Sequence, residues 1–116
     1  MELRSPNFKS VKITAPTGGL TAGQMYAEGY LIGVILNAAD EGDEAVLIYQ
    51  CDKIIVPKNV NTACLFAVGA KVYYDSSAKK ADIADTSSYV CIGRCLVAAA
   101  YTATEVEIDL HGDIDA

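Results

Sequence analysis

Thr104-Glu105-Val106-Glu107-Ile108-Asp109-Leu110 is the stretch that decides the fold. Val106, Ile108 and Leu110 fall on one face and Glu105, Glu107 and Asp109 on the other, the period-two pattern of a half-buried strand. Working back along the chain, Val11-Lys12-Ile13-Thr14-Ala15 alternates in the same way, and Pro16-Thr17-Gly18-Gly19 stops it, because proline presets φ and glycine supplies positive φ. Tyr30–Leu36, introduced by Gly29, and Ala45–Gln50 are apolar on both faces, with a polar turn around Gly42 between them. Asp52–Val56 ends at Pro57. Lys71–Asp75 alternates after a turn at Val68-Gly69, Ser76–Lys80 turns the chain, and Ala81–Ala84 is a short strand. Tyr89–Ala98 is a long strand whose Gly93 predicts a bulge or bend. Asn59–Leu65 is the one stretch that fits a helical turn. No helical period of any length, no internal repeat and no low-complexity tract stands out.

These elements predict a small all-β single domain of seven to eight short strands, with turn signals about every ten residues, the pattern of a small barrel or sandwich. Residues 1–10 read as an extended N-terminal arm anchored by Leu3 and Phe8 around Pro6, residues 11–112 as the barrel, and residues 113–116 as an acidic tail. The structural turns are Pro16, Gly18, Gly19, Gly42 and Gly69. At 116 residues with 52% hydrophobic content, so short a chain is expected to bury part of its apolar surface against other subunits.

Nine Lys and Arg stand against fifteen Asp and Glu, a net charge of −6. Phosphate binding wants a basic stripe, and the clusters Lys53/Lys58 and Lys79-Lys80 are sparse, so no nucleic-acid partner is expected. Residues 1–10 lack the apolar core of a signal peptide. The longest apolar runs, Tyr30–Leu36 and Val90–Tyr101, are respectively too short and broken by Arg94, so no membrane partner is expected either.

The search for chemistry turns up weak motifs. Gly18-Gly19-Leu20-Thr21-Ala22-Gly23-Gln24-Met25 has the glycine spacing of a phosphate loop, but Gln24 and Met25 stand where Lys and Ser or Thr must reach phosphate and magnesium. Asp40, Glu41, Asp43 and Glu44 form an oxygen-rich turn without the spacing of an EF-hand. His111 is the lone histidine and has no nucleophile motif beside it. Tyr73-Tyr74 read as a packing pair. No catalytic residue, metal site or cofactor is assigned.

Cys51, Cys64, Cys91 and Cys95 have no Cys-x-x-C pair among them, which leaves two readings, buried free thiols or disulfides formed in an oxidising setting. If residues 89–98 are one strand, Cys91 and Cys95 lie on the same face about 13 Å apart, beyond the roughly 7 Å a disulfide tolerates. Any bridge from that strand must then reach Cys51, Cys64 or another chain.

Taken in order, Thr14-Ala15-Pro16-Thr17-Gly18-Gly19, Gly23, Gly33-Val34, Ala38-Ala39-Asp40-Glu41-Gly42, Val56-Pro57-Lys58, Val68 to Asp75, Ile92-Gly93 and Val106 to Leu110 resemble the small phage capsid cement, or head decoration, proteins encoded beside the major capsid protein. The likeness runs over roughly residues 11–112. It implies a compact β-barrel or β-tulip on the virion exterior, made in the host cytoplasm. Homotrimers would bind the major capsid protein and lock neighbouring subunits of the expanded head. The arm residues Leu3, Pro6 and Phe8 would contact the capsid by strand addition. The four cysteines depart from the family pattern. The runner-up readings are another β-barrel virion component, in head completion or the tail, and, from another class, a small hydrolase or nucleotide-binding protein.

Overall fold

A computed structural model describes residues 2–3, 8–29, 31–60, 64–83 and 89–112, and of residues 2 and 3 only the backbone. Pro6, Tyr30, Ala84, residues 61–63 of the 59–65 stretch and the 113–116 tail therefore lie outside the described residues. Nine strands form one antiparallel sheet: β1 (Glu2–Leu3), β2 (Phe8–Thr14), β3 (Met25–Glu28), β4 (Leu31–Ile35), β5 (Glu44–Pro57), β6 (Lys71–Asp75), β7 (Lys80–Asp82), β8 (Val90–Cys95) and β9 (Glu105–His111). The fold is all-β and nearly closed, and no helix occurs among the described residues.

Everything is strung on β5. The sequence divides this segment into two strands at Cys51, but it runs through all fourteen residues with both edges paired. On one edge β2 pairs with its first half (Thr14↔Glu44 to Phe8↔Cys51) and β1 with its second (Leu3↔Ile54). On the other, β4 pairs with the first half (Val34↔Ile48) and β9 with the second (Val56↔Val106). Gly112 joins those two neighbours, donating to Tyr49 O at 2.6 Å and accepting from Ile32 N at 2.8 Å. The chain from Phe8 to Ser10, read from sequence as the end of an arm, is thus the start of β2, and Glu2–Leu3 also pairs with the chain's own β5.

The sheet contains the same module twice, which corrects the reading that no repeat is present. β2, β3, β4 and the first half of β5 correspond to the second half of β5, β6, β8 and β9. The hydrogen bonds between the two loops of each module repeat. Leu20 and Ala39 exchange bonds of 2.8 and 3.0 Å, and Phe66 and Ala99 exchange a pair at 3.0 Å. Gly23 donates to Ile35 O and Ile35 to Gln24 O, just as Gly69 donates to Cys95 O and Cys95 to Ala70 O. A Cβ on Gly33 would stand 1.9 Å from Ile48 O, and one on Gly93 would stand 1.9 Å from Asp109 O. The sequence keeps an echo: Ile-Gly-x-x-Leu-x-Ala-Ala occurs at 32–39 and again at 92–99.

The modules differ in closure. In the second, β5–β9–β8–β6–β7 closes on itself when Ala81 bridges Lys58 and accepts from Asn59 N at 2.9 Å. In the first, β3 passes to β4 through residues 29–30 and no strand corresponds to β7 among the described residues. The cores follow. The larger includes Val56, Phe66, Val72, Ile92 and Ile108 and takes in Met25, Ile32, Val34 and Ile48, while the smaller holds Ala15, Leu20, Ile35, Ala45 and Leu47.

This layout explains the strands that are apolar on both faces. Val34 and Ile48 point into one core and Ile35 and Leu47 into the other, so β4 and the first half of β5 are buried on both sides by their own chain. Their pattern is not a sign of subunit contact.

The shared glycine geometry makes a prediction. Gly33→Ala and Gly93→Ala should each destabilise the protein by about 1–3 kcal/mol or more, since a backbone oxygen must move to admit the methyl, and urea unfolding should show comparable losses for the pair. Gly112→Ala, whose Cβ would stand 1.6 Å from Ile32 O, should behave likewise.

A candidate docking surface at one end of the barrel

Lys58 follows the last residue of β5 and is fully buried. Its Nζ donates to Asn59 O at 2.8 Å and to Tyr101 O and Ala103 O, both at 3.2 Å. An ammonium has three donors, and here three carbonyls receive them, so burial leaves none unpaired. Its backbone N–H bonds Thr104 O at 2.9 Å. Lys58 therefore fixes the loop between β8 and β9. Sequence reasoning placed it in a sparse basic cluster; the signal against that was its position directly after a core strand.

Beside it, Asn59 Nδ2 donates to Asp75 Oδ2 at 3.0 Å and Asp82 Oδ2 at 2.7 Å, tying the end of β5 to β6 and β7. Burial pushes the Asp75 carboxyl up, but hydrogen bonds from Asn59, Tyr89 and the N–H groups of Ala78 and Ser77 outweigh it and hold the group below its ordinary value. These two carboxylates hold the turn and the barrel seam together.

With that loop fixed, the segments 64–70 and 96–104 lie side by side at one end of the second module, joined by the Phe66–Ala99 bonds. Arg94 Nη1 donates to Gly69 O at 3.1 Å. The outer side chains of this end are apolar: Leu65 (56% exposed), Val68 (69%), Val97 (53%) and Tyr101 (46%). Next to them a groove of about 340 Å³ has Ile55, Ala98, Ala99, Ala100, Ala103 and Val106 in its lining, with Glu105 and Glu107.

The first module supplies an internal control. The corresponding places there carry Ala22 for Val68, Asn37 for Val97, Asp40 for Ala100 and Glu41 for Tyr101, taking equivalence from the repeated hydrogen bonds, while Gly19, at a φ of 73°, departs from the backbone of Leu65. The fold accepts Asn, Asp and Glu at three of these positions and alanine at the place of Val68, so the large apolar side chains of the second module are not required for folding. A contiguous exposed apolar surface of this kind marks an interaction site. Sequence reasoning missed it by reading 99–103 as a plain turn and Leu65 as the end of a helical turn.

The other candidates are dispersed. Leu3 pairs through its backbone with Ile54, Pro6 lies outside the described residues, and Phe8 is exposed, lining a second groove with Lys9, Gln50 and Asp52 beside the β2 bulge. Pro16, Gly18 and Gly19 form the turn after β2, where Gly19 N bonds Pro16 O at 2.9 Å and its Cβ position is 2.7 Å from Ala39 O. The glycine loop ends in Met25, which begins β3 and is fully buried. No group of three or more His, Cys, Asp or Glu arranged to hold a metal occurs among the described residues. His111 Nε2 faces Asp109 Oδ1 at 3.1 Å.

All four cysteines are free thiols. Cys51, Cys64 and Cys95 are buried; the sulfurs of Cys51 and Cys95 donate to the carbonyls of Lys53 (3.2 Å) and Val97 (3.0 Å), and that of Cys64 meets the backbone of Ile83. The expectation that Cys91 and Cys95 share a face is corrected. The predicted bulge is present, with Val72 opposite Gly93 and Tyr73 opposite Cys91, so Ile92 is the extra residue on β8. It shifts the alternation and turns Cys91 outward while Cys95 stays in the core.

The fold and this end define a small β-barrel protein with an exposed apolar surface. A family model described as phage cement protein matches residues 5–110, and the chain belongs to that family. No curated protein matches it.

Two measurements check the site. Under native conditions one thiol, Cys91, should react with a maleimide, and four after unfolding. Burial raises the Cys51, Cys64 and Cys95 thiols, so the stability they add is complete below the unfolded thiol range of about 8.5 and lost as pH rises above it. Asp75 has the opposite sign: its contribution is complete above about 3.9 and lost as pH falls towards the lower folded value. Asp75→Asn should flatten the acid limb of stability between about pH 5 and 3 in thermal melts.

Proposed function

We propose that this protein is a capsid cement that binds the outer surface of an expanded phage head and stabilises contacts between major capsid protein subunits. Membership of the phage cement family carries this reading. The apolar end around Leu65, Val68, Val97 and Tyr101 is the docking surface, because the first module shows that the fold does not need those side chains there. An acidic protein of net charge −6 is suited to a particle exterior, where it stays soluble and avoids nucleic acid.

The reading includes synthesis in the host cytoplasm, a homotrimeric arrangement on the head, and an arm of Leu3, Pro6 and Phe8 that contacts the capsid. The trimer rests on the family resemblance, since the strands apolar on both faces are accounted for within one chain. The exposed Cys91 is the position from which an interchain disulfide would form on a finished particle. No catalysis is part of the reading: the paired carboxylates Asp75 and Asp82 are engaged by Asn59.

Burying a Leu or Val side chain is worth about 1.5–3 kcal/mol, so Leu65→Asp and Val97→Asp should each weaken binding to expanded heads at least about tenfold without lowering the melting temperature. Sedimentation of each variant with heads assembled without the protein measures this. Equal occupancy by wild type and both variants would remove this end from the interface, and no sedimentation of the wild type would remove the cement reading.

A further inference from the structure

We propose that the open side of the first module, between β2 and β3, accepts an extended strand of the capsid shell subunit, seated as β7 is seated in the second module. This rests on the reading that the protein binds the capsid, and names a second, separate contact with it.

The second module is the template. There the space between β6 and the end of β5 is filled by Lys80-Ala81-Asp82, antiparallel to β6 (Tyr74↔Ala81) and bridged in parallel to Lys58. The buried Ala81 closes the barrel with a small side chain. The first module has the corresponding walls without that strand. Among the described residues β2 pairs only with β5 and β3 only with β4, so each has one edge unused.

Burial at matched positions shows the effect. Ile54, Val56 and Lys58 on the closed wall are all 0% exposed. Their counterparts on β2 are Val11, exposed at 37%, Ile13, half-buried, and Ala15, buried. Val72 on β6 is fully buried, and its counterpart on β3, Tyr26, is half-buried. Core-type residues are in place along both walls, and they are covered only at the end where the chain turns.

Pro16 gives the reason the side stays open within the chain. It stands where Asn59 donates to Ala81 O, and proline has no N–H. The bond that clamps β7 has no counterpart, so an incoming strand must be held by β3 and by the upper part of β2. β2 carries Lys9 and Lys12 and no acidic residue. The matching segment is therefore extended, with a small apolar residue turned inward and neutral or acidic residues flanking it. Addition of such a strand to an unused edge supplies main-chain hydrogen bonds, and the inward side chain supplies selection. Besides β2 and β3 themselves, the described strand of a second copy with a free edge is β1, whose two residues are fewer than the three that β7 places in the second module, which favours the shell subunit as donor.

Amide hydrogen exchange decides the matter, with the full chain compared free and bound to expanded heads assembled without it. The expected result is at least tenfold slower exchange along Val11–Ala15 and Met25–Glu28 on the heads, with no change in free protein as its concentration is raised. Val11→Asp, at an exposed position, should keep the free melting temperature, remove that protection and weaken head binding about tenfold. Binding with protection confined to 64–70 and 96–104 would overturn the strand contact and leave the cement reading standing. Protection of β2 and β3 that grows with concentration of free protein would assign the groove to a second copy and overturn the proposal. Absence of binding to heads would overturn both.

Discussion

The constraint on which the structure depends is that one strand belongs to two barrels. β5 is the last strand of the first module and the first of the second, and its fourteen residues carry neighbours along both edges. Strands β4 and β9 share an edge only because Gly112 fits between Ile32 and Tyr49, where a side chain would collide with two backbone oxygens. The two cores lie on opposite faces of the shared strands, so a chain of 116 residues keeps two small interiors where one would be expected. Because the strand is common, neither module can lose it without opening the other, and unfolding should be cooperative across the chain.

Strand positions and fold class were legible because they depend on local alternation. Val106, Ile108 and Leu110 announce β9, and Val11 and Ile13 announce β2. β3 was not legible: Met25-Tyr26-Ala27-Glu28 is four residues behind a glycine loop, too short to show a period. The continuity of β5 was hidden by Asp52 and Lys53, which are exposed at the bulge where the ladder to β9 breaks between Cys51 and Ile54. The repeat was legible in principle from Ile-Gly-x-x-Leu-x-Ala-Ala. It was obscured because polar residues of the first copy stand against apolar ones in the second, and because residues 76–89 of the second replace residues 29–30 of the first. The copies agree at Gly33 and Gly93, where backbone approaches backbone, and part at exposed positions such as Asn37 and Val97.

Lys58 shows what sequence could not supply. A lysine after Pro57 reads as surface charge, yet three carbonyls converge on it, that of the adjacent Asn59 and two from the loop before β9, more than forty residues away. Only the closed barrel brings Tyr101 and Ala103 to the end of β5. The same end of the barrel buries Cys64 beside it, where desolvation outweighs the nearby ammonium and pushes the thiol up. The cysteines divide by the bulge at Gly93: three are core atoms, and Cys91 is the one a reagent in solvent can reach.

The disposition of strands about β5 also has a mechanical meaning. β1 and β2 lie along one edge and β9 along the other, and all run antiparallel to β5. A tension that draws the start of β2 and the end of β9 apart takes hold of both at one level of β5, Gln50–Cys51, and so acts across the strands and peels each ladder from its end there. Shear loads the rungs of both ladders together, whereas peeling breaks them one after another like a zip. Rupture under such a pull then proceeds rung after rung outward from the middle of β5.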